Sequence, residues 1–510
     1  MNPLFLTDGY KTSHNKQYPE GTTLVYSNFT PRSNKYAPKG CNELVVFGSQ
    51  MVMKQLHEAF QNEFFSKTKE LVCGEMKREL SAYLGSDYDV SHFEALHDLG
   101  YLPIHVKSLP EGSLAPIKVP VLTIYNTHPD FFWLTNYLET ILSNLLWKPM
   151  TSATIAHQYR KVLTSWMEKT DEERAWFIDW QGHDFSMRGM DSIDAVISSG
   201  LGHLTSFMGT DSLPTIFGAR KYYNEEGFVG GSVPATEHSV MCAGGEDDEI
   251  GTFRRLIETY PTGILSVVSD TWDLWKVCTE HVVTLKEEIM SRNGKLVIRP
   301  DSGDPVDILC GEISNPDIKP KLSNGYHPKH IGVIELLWDV FGGTVNEQGY
   351  KVLDSHIGAI YGDSITIDRA NEICRRLAEK GFASTNVVLG IGSFTYQYNT
   401  RDTFGFAMKA TYVEVNKPKF PGDFNPEGRE IFKDPITDDG TKKSATGLLC
   451  VETLPDGSIG LYDKVSWNTE ETGLLQTIYK NGVFDNETTL SEIRKNIINL
   501  TKNKNEVSIA

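Results

Sequence analysis

A histidine follows a glutamate in the segment GSVPATEHS (231–239), where His238 stands beside Glu237. Proline fixes one backbone angle, and glycine permits conformations closed to other residues. The segment therefore predicts a shaped loop that presents a histidine, the side chain most readily tuned to gain or lose a proton near neutral pH. A histidine held by a structural hydrogen bond fits the same pattern, so both interpretations stay open at this point.

Four short apolar runs in the middle of the chain end in residues that suit anions and sugars. The runs 264–268, 296–298, 357–360 and 387–389 end respectively at Ser269 and Asp270, at Arg299 to Gly303, near Gly362 and Asp363, and at Gly390 to Gly392. In a β/α barrel, functional groups gather at the carboxyl ends of the strands. Three aspartates, an arginine and several glycines there predict a site for a phosphorylated sugar.

Helical stretches separate these runs, and buried strands followed by helices favour parallel β/α units. After Asp363, Ser364 or Thr366 is expected to cap a helix with apolar positions from 367 to 377, closed by Gly381. The middle of the chain is therefore predicted to form a (β/α) barrel-like domain.

The two flanking parts of the chain have a different pattern, of short strands and turns. Strands are expected at 22–29, 43–48, 103–108 and 119–126, helical material at 49–84, a largely buried helix at 131–147, a hairpin of 447–453 with 458–462, a mobile loop at 416–430, and a last helix capped by Ser491. We predict an α/β fold with a barrel-like domain at 151–404 and an α+β domain built from 1–150 and 405–510.

Composition limits the class of function. A net charge of −18, from 49 basic and 67 acidic residues, argues against a nucleic-acid or anionic-membrane surface. Seven cysteines without a CxxC pair favour a reducing compartment, and the N-terminal residues do not have the pattern of a signal peptide. We expect a cytoplasmic protein with no membrane or nucleic-acid partner.

No phosphate loop of the form GxxxxGK[ST] and no HExxH metal motif occurs in the sequence. Longer strings are more informative: HDFSMRG (183–189), GTD (209–211), SVPATEHS (232–239), VVSDTWD (267–273), IRPDSGDP (298–305), GD (362–363) and IFKDP (431–435), with TDGYKTSHNKQYP (7–19) and WLTNYLET (133–140) before them. In order and approximate spacing the sequence resembles the nicotinamide phosphoribosyltransferase family, from about residue 5 to about residue 500.

The resemblance implies a reaction in which nicotinamide and phosphoribosyl pyrophosphate give nicotinamide mononucleotide and pyrophosphate. It further implies Mg²⁺ that binds with the pyrophosphate rather than at a permanent protein site, and ATP as an optional coupling substrate. The expected assembly is a homodimer with composite active sites.

The same resemblance assigns residues to the pyridine base. Phe185 and Tyr10 match two aromatic residues that sandwich the ring, with Tyr10 coming from the partner subunit. Asp211 matches the acceptor of the carboxamide NH₂. A carboxylate at this position accepts a hydrogen bond from an amide but repels the carboxylate of nicotinate. Without the surrounding strings, two core aromatics and a turn aspartate would be the commoner interpretation.

Further matches concern the phosphates and the ribose. Arg188, Arg299 and Arg401 match arginines that contact phosphates or nucleotide, while Arg32, Lys409 and Lys433 resemble further sources of positive charge, and solvated surface lysines remain an alternative for the last two. Asp301 matches a residue near the ribose and Mg²⁺. Gly362, Asp363, Gly390 and Gly392 are expected to bring backbone N–H groups to the 5′-phosphate.

His238 matches a histidine that ATP phosphorylates, with Asp270 expected to orient its ring by accepting one N–H. The sequence departs from the family pattern at Gly392-Ser393-Phe394, where three glycines are usual, so the Phe394 side chain must point away from the phosphate. HDFSMRG and DGYK replace the family's HDFGYRG and DSYK.

Three alternative functions remain at this stage. The first is a nicotinate phosphoribosyltransferase, and the second is a non-catalytic nucleotide-binding protein of the same fold. The third is a barrel hydrolase whose metal would be ligated by Asp270, Asp301, Asp363 and His238.

Overall fold

The computed structural model describes residues 1–315, 317–433 and 445–507, with side chains described as far as residue 500. The strands of this part of the chain are β1 Thr22–Thr30, β2 Glu43–Val45, β3 Ile104–Ser108, β4 Leu114–Pro116, β5 Leu122–Asn126, β6 Gly182–Asp184, β7 Gly209–Thr210, β8 Thr262–Val268, β9 Asn293–Arg299, β10 Gly343–Val345, β11 Lys351–Leu353, β12 Ile357–Tyr361, β13 Val387–Ile391, β14 Ala407–Asn416, β15 Pro426–Glu430, β16 Leu448–Thr453, β17 Ile459–Val465, β18 Gln476–Lys480 and β19 Val483–Phe484.

The α-helices of the same residues are α1 Ser49–Phe60, α2 Lys69–Leu84, α3 Ser91–Leu99, α4 Phe132–Thr170, α5 Ile178–Gln181, α6 Ile193–Leu204, α7 Leu213–Tyr223, α8 His238–Gly244, α9 Glu249–Thr259, α10 Leu274–Lys276, α11 Val282–Thr284, α12 Lys286–Ser291, α13 Pro305–Cys310, α14 Val333–Phe341, α15 Ile367–Glu379, α16 Ser393–Gln397, α17 Trp467–Glu470 and α18 Leu490–Val507. Gln61–Phe65 and Val277–His281 are π-helical turns, and short 3₁₀ turns include Gly9–Lys16, Glu172–Phe177, Met187–Gly189 and Arg401–Thr403.

The chain divides into two compact units. The first contains Met1–Thr154, Gly218–Glu226 and Asn399–Ala510, and the second contains Ile155–Phe217 and Gly227–Tyr398. The sequence predicts domain boundaries near 150 and 404, and it gives no reason to place 218–226 with the two chain ends.

The first unit is built on a seven-stranded sheet in the order β15-β14-β1-β5-β3-β18-β19. All neighbours in this sheet run antiparallel, and the central strands β1 and β14 pair along most of their length. Because β1 and β14 come from opposite ends of the sequence, the N- and C-terminal parts fold together as one unit. β16 and β17 add the predicted hairpin.

The second unit contains a six-stranded parallel sheet in the order β7-β6-β13-β12-β9-β8. The segment Gly231 to Thr236 forms backbone hydrogen bonds to both edges of this sheet: Thr210 N–H to Gly231 O (3.0 Å) and Thr236 N–H to Ser266 O (3.0 Å). Parallel bridges join the same segment to β7 and β8. The predicted loop before His238 therefore closes the curled sheet into a barrel.

The barrel core explains the apolar runs in the sequence. Leu265, Val267, Leu296, Ile298 and Leu389 are each at most 1 % exposed and belong to one cluster with side chains of the surrounding helices. Strands that are covered on both faces read as continuous apolar runs. The α/β fold with a barrel-like unit and a second α+β unit is confirmed.

The start of α15 follows the prediction closely. Thr366 is the N-cap, and its side chain accepts a hydrogen bond from the N–H of Arg369. Ser364 is not the cap but lies two residues earlier with a φ of +63°. Gly381, at φ +77°, follows the helix end in the left-handed conformation that glycine tolerates.

Three local predictions are wrong. The helix expected at 131–147 continues to Thr170 and includes Pro149. The Pro149 ring packs against Gly48, where a Cβ atom would lie only 2.5 Å from the Pro149 Cγ. The segment 416–430 is not one loop, because 426–430 forms β15 against β14. Ser491 does not cap α18; Thr489 Oγ1 accepts from the N–H of Glu492, whose carboxylate accepts from the N–H of Thr489.

Among the described residues, no helix is both long enough and apolar enough to span a membrane. None of the seven cysteines, all of them within the described residues, forms a disulfide, and six of them are buried.

Candidate active site

The predicted strand-end residues lie at the carboxyl ends of the parallel strands, as the barrel topology requires. A cavity of about 430 Å³ opens among them and is lined there by Phe185, Asp211, Ser232 and Arg299. Phe185 follows β6, Asp211 follows β7, Arg299 ends β9, and Ser232 belongs to the segment that closes the barrel. Four separate elements thus contribute to this end of the cavity, which we call the mouth of the barrel.

The aromatic ring of Phe185 lies close to two polar side chains, those of Arg299 and His183. Its N–H donates to Ile391 O at 3.0 Å, which fixes the backbone beside β13. The guanidinium carbon of Arg299 lies 5.0 Å from the ring centroid, and the His183 ring lies 4.5 Å away at a tilt of 35°. A flat ring that enters this mouth meets an aromatic surface and a cation together.

Asp211 carries a negative charge at the mouth. Burial alone would raise its pKa, but hydrogen bonds from His183 and Ser232 and the charge of Arg299 lower the pKa below its ordinary value. The His183 Nε2–Asp211 Oδ1 distance is 3.0 Å. The carboxylate therefore stays ionised at neutral pH and is oriented by His183, and its side chain is 39 % exposed.

His238 is the first residue of α8, and its ring faces two carboxylates. Nε2 lies 3.9 Å from Asp270 Oδ1 and 3.9 Å from Asp301 Oδ2. Both distances exceed a hydrogen bond. The expected orienting bond to Asp270 is therefore not formed, and the ring is held instead by Thr271, whose Oγ1 lies 3.1 Å from Nδ1.

Asp270 shapes the neighbouring strand end instead. Its Oδ2 accepts hydrogen bonds from the N–H groups of Asp301 (2.8 Å) and Ser302 (2.7 Å). Among the described atoms, Asp270 Oδ1 and Asp301 Oδ1 are buried without a hydrogen-bond partner. Two such carboxylate oxygens are the donors that a hard divalent cation prefers.

No group of three or more histidine, cysteine or acidic side chains in the described part of the chain is arranged to hold a metal ion by itself. The two unpaired oxygens of Asp270 and Asp301 would therefore fit Mg²⁺ only if other ligands, such as phosphate oxygens, completed its coordination.

The glycines at the strand ends stand where neighbouring atoms leave no room for a side chain. A Cβ on Gly362 would lie 2.4 Å from Asp301 Oδ1, and one on Gly392 would lie 2.3 Å from Asp363 Oδ1. At Gly390 a Cβ would lie 2.6 Å from the carbonyl oxygens of Tyr361 and Gly362. Backbone and carboxylates can pack this closely only because the side chains are missing.

The departure at Gly392-Ser393-Phe394 begins the short helix α16. Phe394 is 58 % exposed, and its ring lies 4.7 Å from that of Tyr398. Arg188 is exposed in the neighbouring turn Met187–Gly189 and has no hydrogen-bond or ion-pair partner among the described residues.

The other predicted site residues belong to the first unit, where four cations gather. Arg32 donates from Nε to Gly405 O at 3.2 Å; burial and then the charge of Arg401 lower its pKa. Burial, Arg32 and Lys433 likewise lower the pKa of Lys409. Tyr10 is 64 % exposed in the turn Gly9–Lys16. Residues 434 and 435 of the IFKDP string lie outside the described residues.

Sequence reasoning missed His183, Ser232 and Thr271. A usable signal existed for His183, because it stands two residues before Phe185, which the family resemblance assigns to the site. Ser232 and Thr271 gave no such signal, since their contacts join segments far apart in the sequence.

Two solved structures share the fold over nearly the whole length: nicotinate-nucleotide pyrophosphorylase from Pyrococcus furiosus (TM-score 0.54, 14% identity, 98% of this chain and 95% of that chain) and human nicotinic acid phosphoribosyltransferase (TM-score 0.53, 16% identity, 96% and 93%).

Sequence comparison gives the family. The model of the nicotinate phosphoribosyltransferase (NAPRTase) family matches residues 180–485, and that of the nicotinamide phosphoribosyltransferase N-terminal domain matches 2–106. Nicotinamide phosphoribosyltransferase of Acinetobacter baylyi is 50% identical over 98% of this chain and 97% of the relative, and that of Xanthomonas campestris is 32% identical over 97% of each. The chain belongs to the nicotinamide phosphoribosyltransferases of the NAPRTase family.

Proposed function

We propose that this enzyme transfers the 5-phosphoribosyl group from phosphoribosyl pyrophosphate to nicotinamide, giving nicotinamide mononucleotide and pyrophosphate in NAD salvage. The observation that carries the choice of base is the ionised Asp211 at the mouth, beside Phe185. The Asp211 carboxylate accepts a hydrogen bond from the carboxamide NH₂, and its negative charge repels the carboxylate of nicotinate.

In the proposed reaction the ring nitrogen of nicotinamide forms the bond to ribose C1 while the bond from C1 to the pyrophosphate oxygen breaks. The nitrogen carries no proton, so no general base is needed, and the product ring becomes a pyridinium. The site is therefore proposed to align the base with C1 and to stabilise the negative charge that develops on the departing pyrophosphate.

Each group of residues has a place in this scheme. Phe185 provides the ring surface, Asp211 and His183 fix the carboxamide, and Arg299 brings positive charge beside the ring. We propose that Asp301 accepts hydrogen bonds from the ribose hydroxyls and that the close-packed strand ends bind the 5′-phosphate through Gly362, Asp363, Gly390 and Gly392. Mg²⁺ bound with the pyrophosphate would supply charge neutralisation beside Asp270 and Asp301.

We further propose that ATP couples to the reaction through phosphorylation of His238. The support is the position of its ring beside two carboxylates with unpaired buried oxygens, where a divalent cation would offset the charge of a phosphoryl group. Thr271, rather than Asp270, sets the ring orientation.

The assembly we propose is a cytoplasmic homodimer in which Tyr10, Arg32, Arg401, Lys409 and Lys433 of one subunit complete the barrel site of the other. Their clustering in the first unit, with Tyr10 exposed, supports a role toward an anionic substrate. Arg188, exposed and without a partner among the described residues, is proposed to contact phosphate as well.

Purified protein with phosphoribosyl pyrophosphate and Mg²⁺ tests the reaction by the appearance of nicotinamide mononucleotide. We expect turnover with nicotinamide and little with nicotinate. Absence of product with either base overturns the proposal, and faster turnover with nicotinate replaces it with the nicotinate reaction.

A further inference from the structure

Helix α4 contains WLTNYLET (133–140), a family string to which the resemblance assigns no role. The string lies beside the turn Gly9–Lys16, which presents Tyr10. Thr140 Oγ1 donates to Asp8 Oδ2 at 2.7 Å, directly before the turn. All of these residues belong to the first unit. The string therefore supports the segment that carries Tyr10.

A buried ion pair anchors the turn to this helix. Lys11 Nζ lies 2.7 Å from Glu139 Oε2 and donates to Asn136 O, also at 2.7 Å. The side chains of Lys11 and Glu139 are only 6 % and 13 % exposed. Because Lys11 follows Tyr10 directly in the sequence, the ion pair fixes the backbone beside the tyrosine. Removing one partner of such a pair leaves an uncompensated charge away from water.

Glu139 also sets the orientation of the Asn136 side chain. An ionised carboxylate can only accept hydrogen bonds, so the Asn136 NH₂ faces Glu139 Oε2, at 3.3 Å. The amide oxygen of Asn136 then faces His14 and accepts a hydrogen bond from Nδ1 at 2.5 Å. The carboxylate thus determines which His14 nitrogen carries the proton.

The His14 ring lies beside the tyrosine itself. The ring centroids of His14 and Tyr10 are 5.5 Å apart, with an angle of 53° between the planes. Because Tyr10 is 64 % exposed, its ring gains little orientation from burial, and the imidazole limits the directions that it takes. Glu139 therefore acts on Tyr10 by two routes, through Lys11 and through Asn136 with His14.

Tyr83 of α2 covers another side of the same turn. A Cβ on Gly9 would lie 2.4 Å from the Tyr83 hydroxyl oxygen. The serine of the family's DSYK string would require Tyr83 to move, so the glycine of DGYK goes together with this tyrosine. The turn is thus held by both α2 and α4.

We propose that Glu139 is a positioning residue for the transfer reaction: without contacting a substrate, it holds the turn that presents Tyr10 to the pyridine base. The inference rests on the proposed function, in which Tyr10 stacks on nicotinamide bound in the barrel of the other subunit. An aromatic ring that is fixed before the base arrives loses less conformational freedom on binding.

The charge of Glu139 also reaches the cations of this unit. Partial burial and then the charge of Arg32 lower the pKa of Lys409, and Lys433 and Lys11 act in the same direction, whereas Glu139 opposes them. Removing the carboxylate makes this cationic cluster more positive, so its attraction for pyrophosphate is not weakened. The two substrates should therefore respond differently to the loss of Glu139.

Steady-state kinetics of Glu139→Gln at pH 7 tests the proposal. We expect the KM for nicotinamide to rise about tenfold, the effect of losing a hydrogen bond to a charged group, while the KM for phosphoribosyl pyrophosphate does not rise. A general loss of structure would impair both. Glu470→Gln is the matched control, because it removes one partner of the buried Lys107–Glu470 ion pair (3.0 Å) of the same unit. It is expected to leave the KM for nicotinamide unchanged.

The double variant Lys11→Met/Glu139→Leu separates positioning from stability. Apolar side chains often replace a buried ion pair with little loss of stability. We expect a thermal unfolding midpoint close to that of the wild type, together with the raised KM for nicotinamide. A wild-type KM for nicotinamide in this variant or in Glu139→Gln, or an equal rise of both KM values, overturns the inference.

Hydrogen exchange measures the turn independently of the reaction. The amides of residues 9–16 are expected to exchange about tenfold faster in Glu139→Gln and in the double variant than in the wild type, and at the wild-type rate in Glu470→Gln. Unchanged exchange in the Glu139 variants overturns the inference. Wild-type protein that forms no nicotinamide mononucleotide overturns the proposed reaction instead, and the exchange rates then decide whether Glu139 holds the turn.

Discussion

At the scale of single residues, the proposed choice of substrate depends on one ionised carboxylate. Asp211 is charged because hydrogen bonds and Arg299 outweigh the effect of burial on its pKa. A neutral amide of the same shape would be a weaker hydrogen-bond acceptor toward a carboxamide, and it would not repel a carboxylate.

Replacing Asp211 with Asn is therefore expected to lower kcat/KM for nicotinamide roughly 10- to 100-fold, the value of a hydrogen bond to a charged group. Turnover of nicotinate is expected to stay unchanged or to rise. Steady-state kinetics with both bases measures the two effects. Asp194→Asn, at an exposed position of α6, is the control, and an equal loss with both bases would contradict a role in selection.

His238 gives a second prediction at this scale. After incubation with labelled ATP and Mg²⁺ the protein is expected to carry acid-labile phosphate, which His238→Ala lacks. The divalent ion is required because Asp270 and Asp301 lie 3.9 Å from Nε2 and would repel an incoming phosphoryl group. His327→Ala, at an exposed histidine of the same unit, is expected to label normally; label that persists in His238→Ala contradicts the assignment.

At the scale of elements, α15 shows how a cap positions the strand end before it. Thr366 satisfies the N–H of Arg369, and Arg369 in turn donates from Nη1 to Ser364 O at 2.8 Å. The turn that follows Gly362 and Asp363 is thus tied to the first turn of the helix.

Thr366→Ala is expected to lower the free energy of unfolding by about 1 kcal/mol, because an orphan helix N–H loses its acceptor. The measurement is denaturant unfolding of the full chain. Thr366→Ser keeps the hydroxyl and is expected to lose much less. Equal losses in the two variants would show that the methyl group, not the cap, stabilises this position.

The elements also show what sequence can and cannot predict. Apolar runs, turn residues and caps act locally, so the four barrel strands, the hairpin of β16 with β17 and the Thr366 cap are predictable. The full length of helix α4 is not predictable, because the helix continues through Pro149, and Pro149 packs against Gly48, about one hundred residues away in the sequence. The hydrogen bond of Asp270 to the backbone at 301–302, instead of to His238, likewise depends on how two strands lie side by side.

At the scale of the whole molecule, the predicted site residues divide between the two units of each chain. Phe185, Asp211 and Arg299 belong to the barrel unit, whereas Tyr10, Arg32 and Arg401 belong to the other. A dimer with shared sites predicts that defects in different units complement one another.

Tyr10→Ala and Arg299→Ala are each expected to be nearly inactive as homodimers. Coexpressed in equal amounts, they are expected to recover about a quarter of wild-type activity, because half of the dimers are mixed and each mixed dimer has one intact site. Nicotinamide turnover of the copurified mixture is the measurement. Activity no higher than the mean of the two homodimers would show that each chain builds its own site.

The barrel closes through an irregular segment, and this has a consequence for its motions. β8 and β9 pair over seven residue positions, whereas Gly231 to Thr236 holds the two edges by a few hydrogen bonds at its ends. Opening at this seam disrupts the fewest contacts, so its amide protons are expected to exchange with solvent faster than those of β8. His238 lies two residues after this segment. A ligand that contacts both edges of the seam would therefore slow the amide exchange, and the exchange rate of Gly231 to Thr236 would measure occupancy of the site.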